Sequence, residues 1–265
     1  MPSRGSLVRA LVGVAISVVT IIAIVRGIDL AKVADILRTA NPAWIAVTLC
    51  AVVVDLSIRS LRWKRLLAPI HPVPYVRTAG YLLIGYLANN VLPARLGELV
   101  RCHYLGDREG ISRTTTLGTV VVERWPRVAD IGRKLHGGLS VAGRPRTLGE
   151  ALMLSGLAWS MTIISFAAAG QSIGIELSTA QAALLVSGVA LATAIPAGPG
   201  NLGTFDLAGV LIASSFGLER EHAVALVVLA HAAALTVTSI GGAGALLRLG
   251  WARRPPVPVA ESEAA

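Results

Sequence analysis

Residues 151–175 read ALMLSGLAWSMTIISFAAAGQSIGI, twenty-five consecutive positions without a charged side chain. A helix needs about 20 apolar residues to cross roughly 30 Å of hydrocarbon, so this run is long enough to span a bilayer. Three further runs, Ala10–Val25, Leu177–Phe205 and Ala223–Leu247, are also uncharged. All are continuously apolar and lack the residue-by-residue alternation of a barrel strand. Helices satisfy their own backbone groups where no water is available, so helices are the form such runs take. The predicted class is an all-α, polytopic integral membrane bundle of about 6–8 membrane segments, some of them broken or re-entrant.

The whole chain fits that class. Of 265 residues 54% are hydrophobic and 15% charged, with a mean hydropathy of +0.68, far from a soluble average. The net charge of +9 does not imply nucleic-acid binding, because the Lys and Arg residues lie between the apolar runs, as on cytoplasmic loops. Basic residues at both ends place both termini in the cytoplasm of a cell (plasma) membrane protein. The basic start could belong to a signal peptide, but Gly27-Ile28-Asp29 offers no small-x-small cleavage site, so an uncleaved first helix is expected. Cys50 and Cys102 make no disulfide framework or metal signature. The five histidines, His71, His103, His136, His222 and His231, show no ligand spacing, and no metal or cofactor is expected. His231, mid-run, reads as an interhelical hydrogen-bonding group.

The expected order starts with helix 1 over about Leu7–Val25 and a short amphipathic interfacial helix at 29–41. Helix 2 opens at Pro42 and runs to about Ser60, ending in Arg62-Trp63-Lys64-Arg65, a basic and aromatic anchor for the headgroup layer. Helix 3 takes about Val76–Leu92. Thr114–Val122, too short to span, is expected to form half of a re-entrant hairpin within a basic loop. Helices over about Leu148–Ala169, Ala180–Ile195, Leu207–Phe216 and Ala223–Leu247 complete the bundle. Gly241, Gly242 and Gly244 allow close packing near the end of the last one. Residues 1–250 form a single transmembrane domain, and the Pro-rich tail 251–265 is expected to be disordered.

Charge at membrane depth costs several kcal/mol unless paired or hydrated, so about each such residue a polar site is the default reading. Within Asn89–Arg101, Arg95, Glu98 and Arg101 follow an uncharged run at spacings of three, which on a helix aligns them on one side. Pro93 and Gly97 break the backbone there. Two arginines for one glutamate suit phosphate, because a planar guanidinium binds two oxygens at once. Glu123 and Arg124 are adjacent and face apart on a helix, so each needs a partner; Arg95 and Glu98 are the candidates. Asp55 has Arg59 one turn later, a pair that reads equally as an interfacial salt bridge or as part of a site. A second irregular element runs from Pro196 through Pro199, Gly200, Asn201 and Gly203 to Asp206. Its prolines and glycines expose backbone that survives at membrane depth only when packed in protein or facing a polar cavity. The helix after it could aim its first amides at an anion. No nucleophile elbow, metal triad or nucleotide loop is present to make a catalytic set.

These motifs resemble the lysylphosphatidylglycerol synthase transmembrane region family, also called the flippase-like domain family. The matching stretches are Arg62-Trp63-Lys-Arg-Leu-Leu, Leu92-Pro93-Ala-Arg95-Leu-Gly97-Glu98-Leu-Val-Arg101, Val122-Glu123-Arg124 and Pro196-Ala-Gly-Pro199-Gly200-Asn201-Leu-Gly203-Thr-Phe205-Asp206. The chain departs from the family in ending its glycine motif with Asp206 where Glu is usual. It also departs in passing from Glu123-Arg124 to the next span with about a helical hairpin missing. The resemblance implies a non-enzymatic protein that binds or moves a phospholipid or polyprenyl-type lipid between leaflets. Arg95, Glu98, Arg101, Glu123 and Arg124 then form one side of the site, and Gly200, Asn201, Gly203 and Asp206 the other. Anionic or phosphate-bearing membrane lipids are the expected partners. Two alternatives stand beside this reading: a membrane subunit or anchor for a lipid-modifying or glycosyl-transferring enzyme, and an enzyme acting on lipid headgroups.

Overall fold

A computed structural model describes residues 4–92, 96–110, 145–195 and 197–250. Among them the chain is helical throughout, in the order α1 (Arg4–Val25), α2 (Leu30–Arg38), α3 (Pro42–Leu67), α4 (Tyr75–Val91), α5 (Gly97–Glu109), α6 (Pro145–Ser172), α7 (Thr179–Ala192), α8 (Thr204–Ser215) and α9 (Arg220–Leu249). A single 3-10 turn, Pro199–Asn201, sits between α7 and α8. The predicted membrane bundle is therefore the observed class. Among the described residues three helices, α3, α6 and α9, are long and apolar enough to cross a membrane. The pair α1–α2 adds a fourth if its two parts count as one span, but they bend by 86° at the intervening break. That angle suits the expected interfacial role of α2: a segment at right angles to a crossing helix runs along the surface.

Local chemistry sets the starts of several helices. Asp29 accepts from the amides of Ala31 (2.9 Å) and Lys32 (3.3 Å) at the start of α2. Asn41 caps α3 through the Ala43 amide at 2.9 Å, with Pro42 next to it. At α7, Ser178 and Gln181 bond each other's amides reciprocally, at 3.2 and 2.9 Å. Such caps occupy amides that would otherwise have no partner at a helix start.

α9 is the central post, contacting α2, α3, α4, α6 and α8. Its residues Ala223, Val224, Ala225, Leu226 and Val227 are all at most 4% exposed, so this part of the helix is covered on every side. One apolar cluster joins α1, α2, α6, α7, α8 and α9, and a second joins α3, α4 and α5 around Trp63, Tyr81 and Leu105. α3 and α6 share the most extensive helix–helix contact. On the outside, Met153, Leu211 and Ile240 are 61–68% exposed. In water such a surface would be an association liability, whereas lipid tails are as apolar as the side chains themselves.

Two details differ from the sequence expectation. α3 does not end near Ser60 but continues to Leu67, and Trp63 is fully buried (0%), with Arg62 also buried (8%). The tryptophan is core, packed between α3, α4 and α5, instead of an anchor in the headgroup layer. The glycines of α9 behave unequally: a Cβ on Gly242 would lie 2.6 Å from the Leu83 carbonyl oxygen of α4, whereas Gly244 faces open space.

Candidate functional site

A cavity of about 690 Å³ opens between α3, α4, α5, α6 and α7. The polar part of its wall comes from Arg59 and Arg62 of α3, Asn89 of α4, and Glu98 and Arg101 of α5, with Gly97 beside them. Trp159, Phe166, Val186, Val189, Leu191 and Phe205 supply an apolar wall. Guanidiniums thus outnumber carboxylates three to one in the lining.

Each of the three guanidiniums is held by named neighbours. Arg59 donates from Nε to both oxygens of Asp55, at 2.9 and 2.7 Å, and from Nη2 to Thr162 at 3.4 Å. Arg62 donates from Nη1 to Ser155 on α6 at 2.8 Å. The Arg101 guanidinium lies 4.9 Å from the centre of the Trp63 ring, a cation–π contact that holds it where α5 meets α3. Such contacts pre-organise planar donors at a place where a bound anion would be shielded from water, which strengthens each interaction.

The break between α4 and α5 is what turns Glu98 and Arg101 inward. Asn89, near the end of α4, accepts the Gly97 amide at 2.7 Å and so satisfies the first amide of α5. Only glycine fits at 97: a Cβ there would lie 2.6 Å from Asn89 Cγ and closer still to the Gly85 carbonyl oxygen. α5 can therefore start against α4 with its first turn directed at the cavity. Glu98 and Arg101 share the same helix at a spacing of three, as expected. Arg95 and Pro93 lie outside the described residues, as do Glu123, Arg124, Pro196 and the expected hairpin segment Thr114–Val122.

The second irregular element has a different place. Pro199, Gly200, Asn201, Gly203 and Asp206 do not line the cavity, although their neighbour Phe205 does. Gly200, Asn201 and Gly203 have positive φ (64°, 56° and 88°), a backbone that glycine adopts freely and that Asn tolerates. The Gly198 amide donates to Ser17 of α1 at 2.9 Å, and a Cβ on Gly203 would meet the Ser17 carbonyl oxygen at 2.7 Å. This irregular backbone is packed in protein, the condition for its survival at depth. Asp206 accepts the Gly203 amide at 2.9 Å and meets His231 Nδ1 at 2.8 Å. The amide at the start of α8 is thus occupied by this chain's own carboxylate. His231 joins α9 to this element, as its mid-run position predicts.

Arg59, which the sequence leaves open between an interfacial salt bridge and a site, and Arg62, expected in the headgroup anchor, both line the cavity. The α6 residues that face them, Ser155, Trp159, Thr162 and Phe166, could have been found by their spacing of four, three and four, which places them along one side of a helix. Ser187 and Thr193 of α7 carry no comparable signal, because isolated hydroxyl residues are common in apolar helices.

Comparison with known proteins identifies relatives of the chain. The model described as "Lysylphosphatidylglycerol synthase TM region" matches residues 10–129 and 124–242. A UPF0104 membrane protein of Methanocaldococcus jannaschii is 30% identical over 112 residues, 41% of this chain and 33% of that protein. The glycosyltransferase AglD of Haloferax volcanii is 28% identical over 121 residues, 44% of this chain and 19% of that one. The chain therefore aligns with about a third and a fifth of the lengths of these curated relatives. No solved structure matches. With both long motifs inside the matched residues and the bundle all-helical, the chain belongs to the lysylphosphatidylglycerol synthase transmembrane region family.

Proposed function

We propose that the cavity binds the phosphate-bearing headgroup of a phospholipid or polyprenyl-type lipid and that the protein moves this lipid between leaflets. The observation that carries the reading is the wall itself: Arg59, Arg62 and Arg101 converge with Glu98 on one side, and Trp159, Phe166 and Leu191 stand on the other. Guanidiniums bind phosphate oxygens in pairs, Glu98 suits a hydroxyl or amine on the headgroup, and the apolar wall suits the tails. The proposal takes residues 1–250 as one membrane domain of the plasma membrane, both termini cytoplasmic, with Arg95, Glu123 and Arg124 completing the charged side. It assigns the protein no chemistry of its own.

The test is transbilayer movement of labelled anionic lipids in liposomes containing the purified protein, with Arg101→Gln and Glu98→Gln as controls. Movement by wild type and its loss in both variants supports the reading; equal rates with and without protein across a broad lipid panel refute it. A second reading is favoured by the relative named as a glycosyltransferase, most of whose length lies outside the match. In it the chain serves as membrane subunit to a lipid-modifying or glycosyl-transferring enzyme, and a deletion phenotype should then depend wholly on that partner.

A further inference from the structure

His231 lies in the middle of the central helix, 5% exposed, with an oxygen at each ring nitrogen. Nε2 is 3.0 Å from the Gly200 carbonyl oxygen and Nδ1 is 2.8 Å from Asp206 Oδ1. A carbonyl oxygen only accepts, so Nε2 carries a hydrogen. At Nδ1 the partner is a carboxylate whose other oxygen already accepts the Gly203 amide at 2.9 Å. That carboxylate lies in the first turn of α8, where the helix dipole favours negative charge. Both oxygens of Asp206 and both nitrogens of the ring are thus engaged, so the pair holds α8, the Gly200 turn and α9 in one arrangement.

The same ring stacks on Phe205, with centroids 3.9 Å apart and planes 24° from parallel. Phe205 in turn lines the cavity and lies 6.2 Å from Phe166, another wall residue. We propose that His231 is a positioning residue for the cavity: bonded at both ring nitrogens, it ties the Gly200 carbonyl to the Asp206 carboxylate and fixes the ring of Phe205 in the wall. The inference rests on the lipid reading only for what fills the cavity; the clamp itself does not depend on it.

Two measurements need no ligand. In nanodiscs with nitrogen-15-labelled histidine, the signal lost in His231→Gln should show a hydrogen bond at each ring nitrogen. With ring-labelled phenylalanine, the Phe205 ring should be held in wild type, flip freely in His231→Gln, and be held again in Asp206→Glu, which keeps a carboxylate. A His231 ring nitrogen without a hydrogen bond, or a Phe205 ring indifferent to His231→Gln, overturns the proposal. A third measurement reads binding of phosphatidylglycerol. Phe205→Ala and His231→Gln should each weaken it about tenfold, equivalent to ~1.4 kcal/mol. The double variant should be no worse than Phe205→Ala, because a residue acting through another is non-additive with it. Additive losses overturn the positioning role. If wild type binds no phosphate-bearing lipid while the two nuclear-resonance results hold, the lipid reading falls and the clamp stands. Phe205→Leu, which keeps most of the volume, separates loss of the ring from loss of folding.

Discussion

Gly97→Ala should be among the most damaging single-methyl additions in the chain, and the size of the effect can be worked out. The new Cβ would lie 2.6 Å from Asn89 Cγ, against an ordinary contact of at least 3.4 Å, and would also press on the Gly85 carbonyl oxygen. Because the latter is backbone, α5 must move away by on the order of 1 Å, the scale of rearrangement that overpacking forces. Overpacking of this kind costs about 1–3 kcal/mol, and losing the Gly97–Asn89 hydrogen bond costs about 0.5–1.5 kcal/mol more. The expected destabilisation is about 2–4 kcal/mol, read as loss of thermal stability in detergent or of resistance to denaturant. The shift also withdraws Arg101, one turn along, by an appreciable part of a hydrogen-bond length. Losing one bond to a charged group costs about 1.5–3 kcal/mol, roughly 10- to 100-fold in affinity for an anionic lipid. Gly85→Ala is the graded comparison: its Cβ would meet the Gly97 carbonyl oxygen at 3.0 Å and Arg101 Cβ at 3.1 Å, so a smaller loss is expected. Gly156, mid-α6 with nothing within 4 Å of a Cβ, is the control, where alanine should stabilise by about 0.5–1 kcal/mol. A Gly97→Ala protein within 0.5 kcal/mol of wild type, or an inverted order of the three, would refute the reasoning.

Two other outcomes follow from the same geometry. Asp55→Asn removes the carboxylate paired with Arg59 at 2.7 Å; it should lower thermal stability yet tighten binding of an anionic lipid, whereas Arg59→Gln should weaken binding, so that changes of the same sign in both would contradict the assignment. Ser178→Ala deletes half of the reciprocal cap on α7 and should cost about 1 kcal/mol in a denaturant series with lipid binding unchanged; a binding defect of the same size would mean that α7 is set by more than its packing.

The helical membrane class was legible because it depends on composition over twenty or more residues, and runs such as 151–175 admit no other reading. Breaks were legible too: Gly97 and Gly203 stand at the starts of α5 and α8, and Gly200 in the turn between α7 and α8. What sequence could not supply was which side of each helix faces which neighbour. Asp55 and Arg59 were seen as a pair, but only the contact between α3 and α6 puts Arg59 on Thr162 and Arg62 on Ser155. Trp63 beside three basic residues has the composition of an interfacial anchor; its burial follows from α4 and α5 folding over it. Asp206 was picked out as a charge in an apolar setting, and its partner His231, twenty-five positions later, becomes visible only when α8 turns back against α9. Phe205, which brings that pair to the cavity, gave no sign of its role, because an aromatic residue in an apolar run is ordinarily core.

The central claim is that the Arg59, Arg62 and Arg101 cavity holds a phosphate headgroup, and a photo-crosslinking amino acid placed in its wall tests this most directly. Introduced at the buried Phe166 in the lining and, for comparison, at the outward-facing Leu211, it would be activated in native membranes and the adduct identified by mass spectrometry. The account predicts one class of phosphate-bearing lipid enriched at 166 over 211, with the enrichment abolished by Arg101→Gln. The same mixture of bulk lipids at both positions, unchanged by Arg101→Gln, would contradict it.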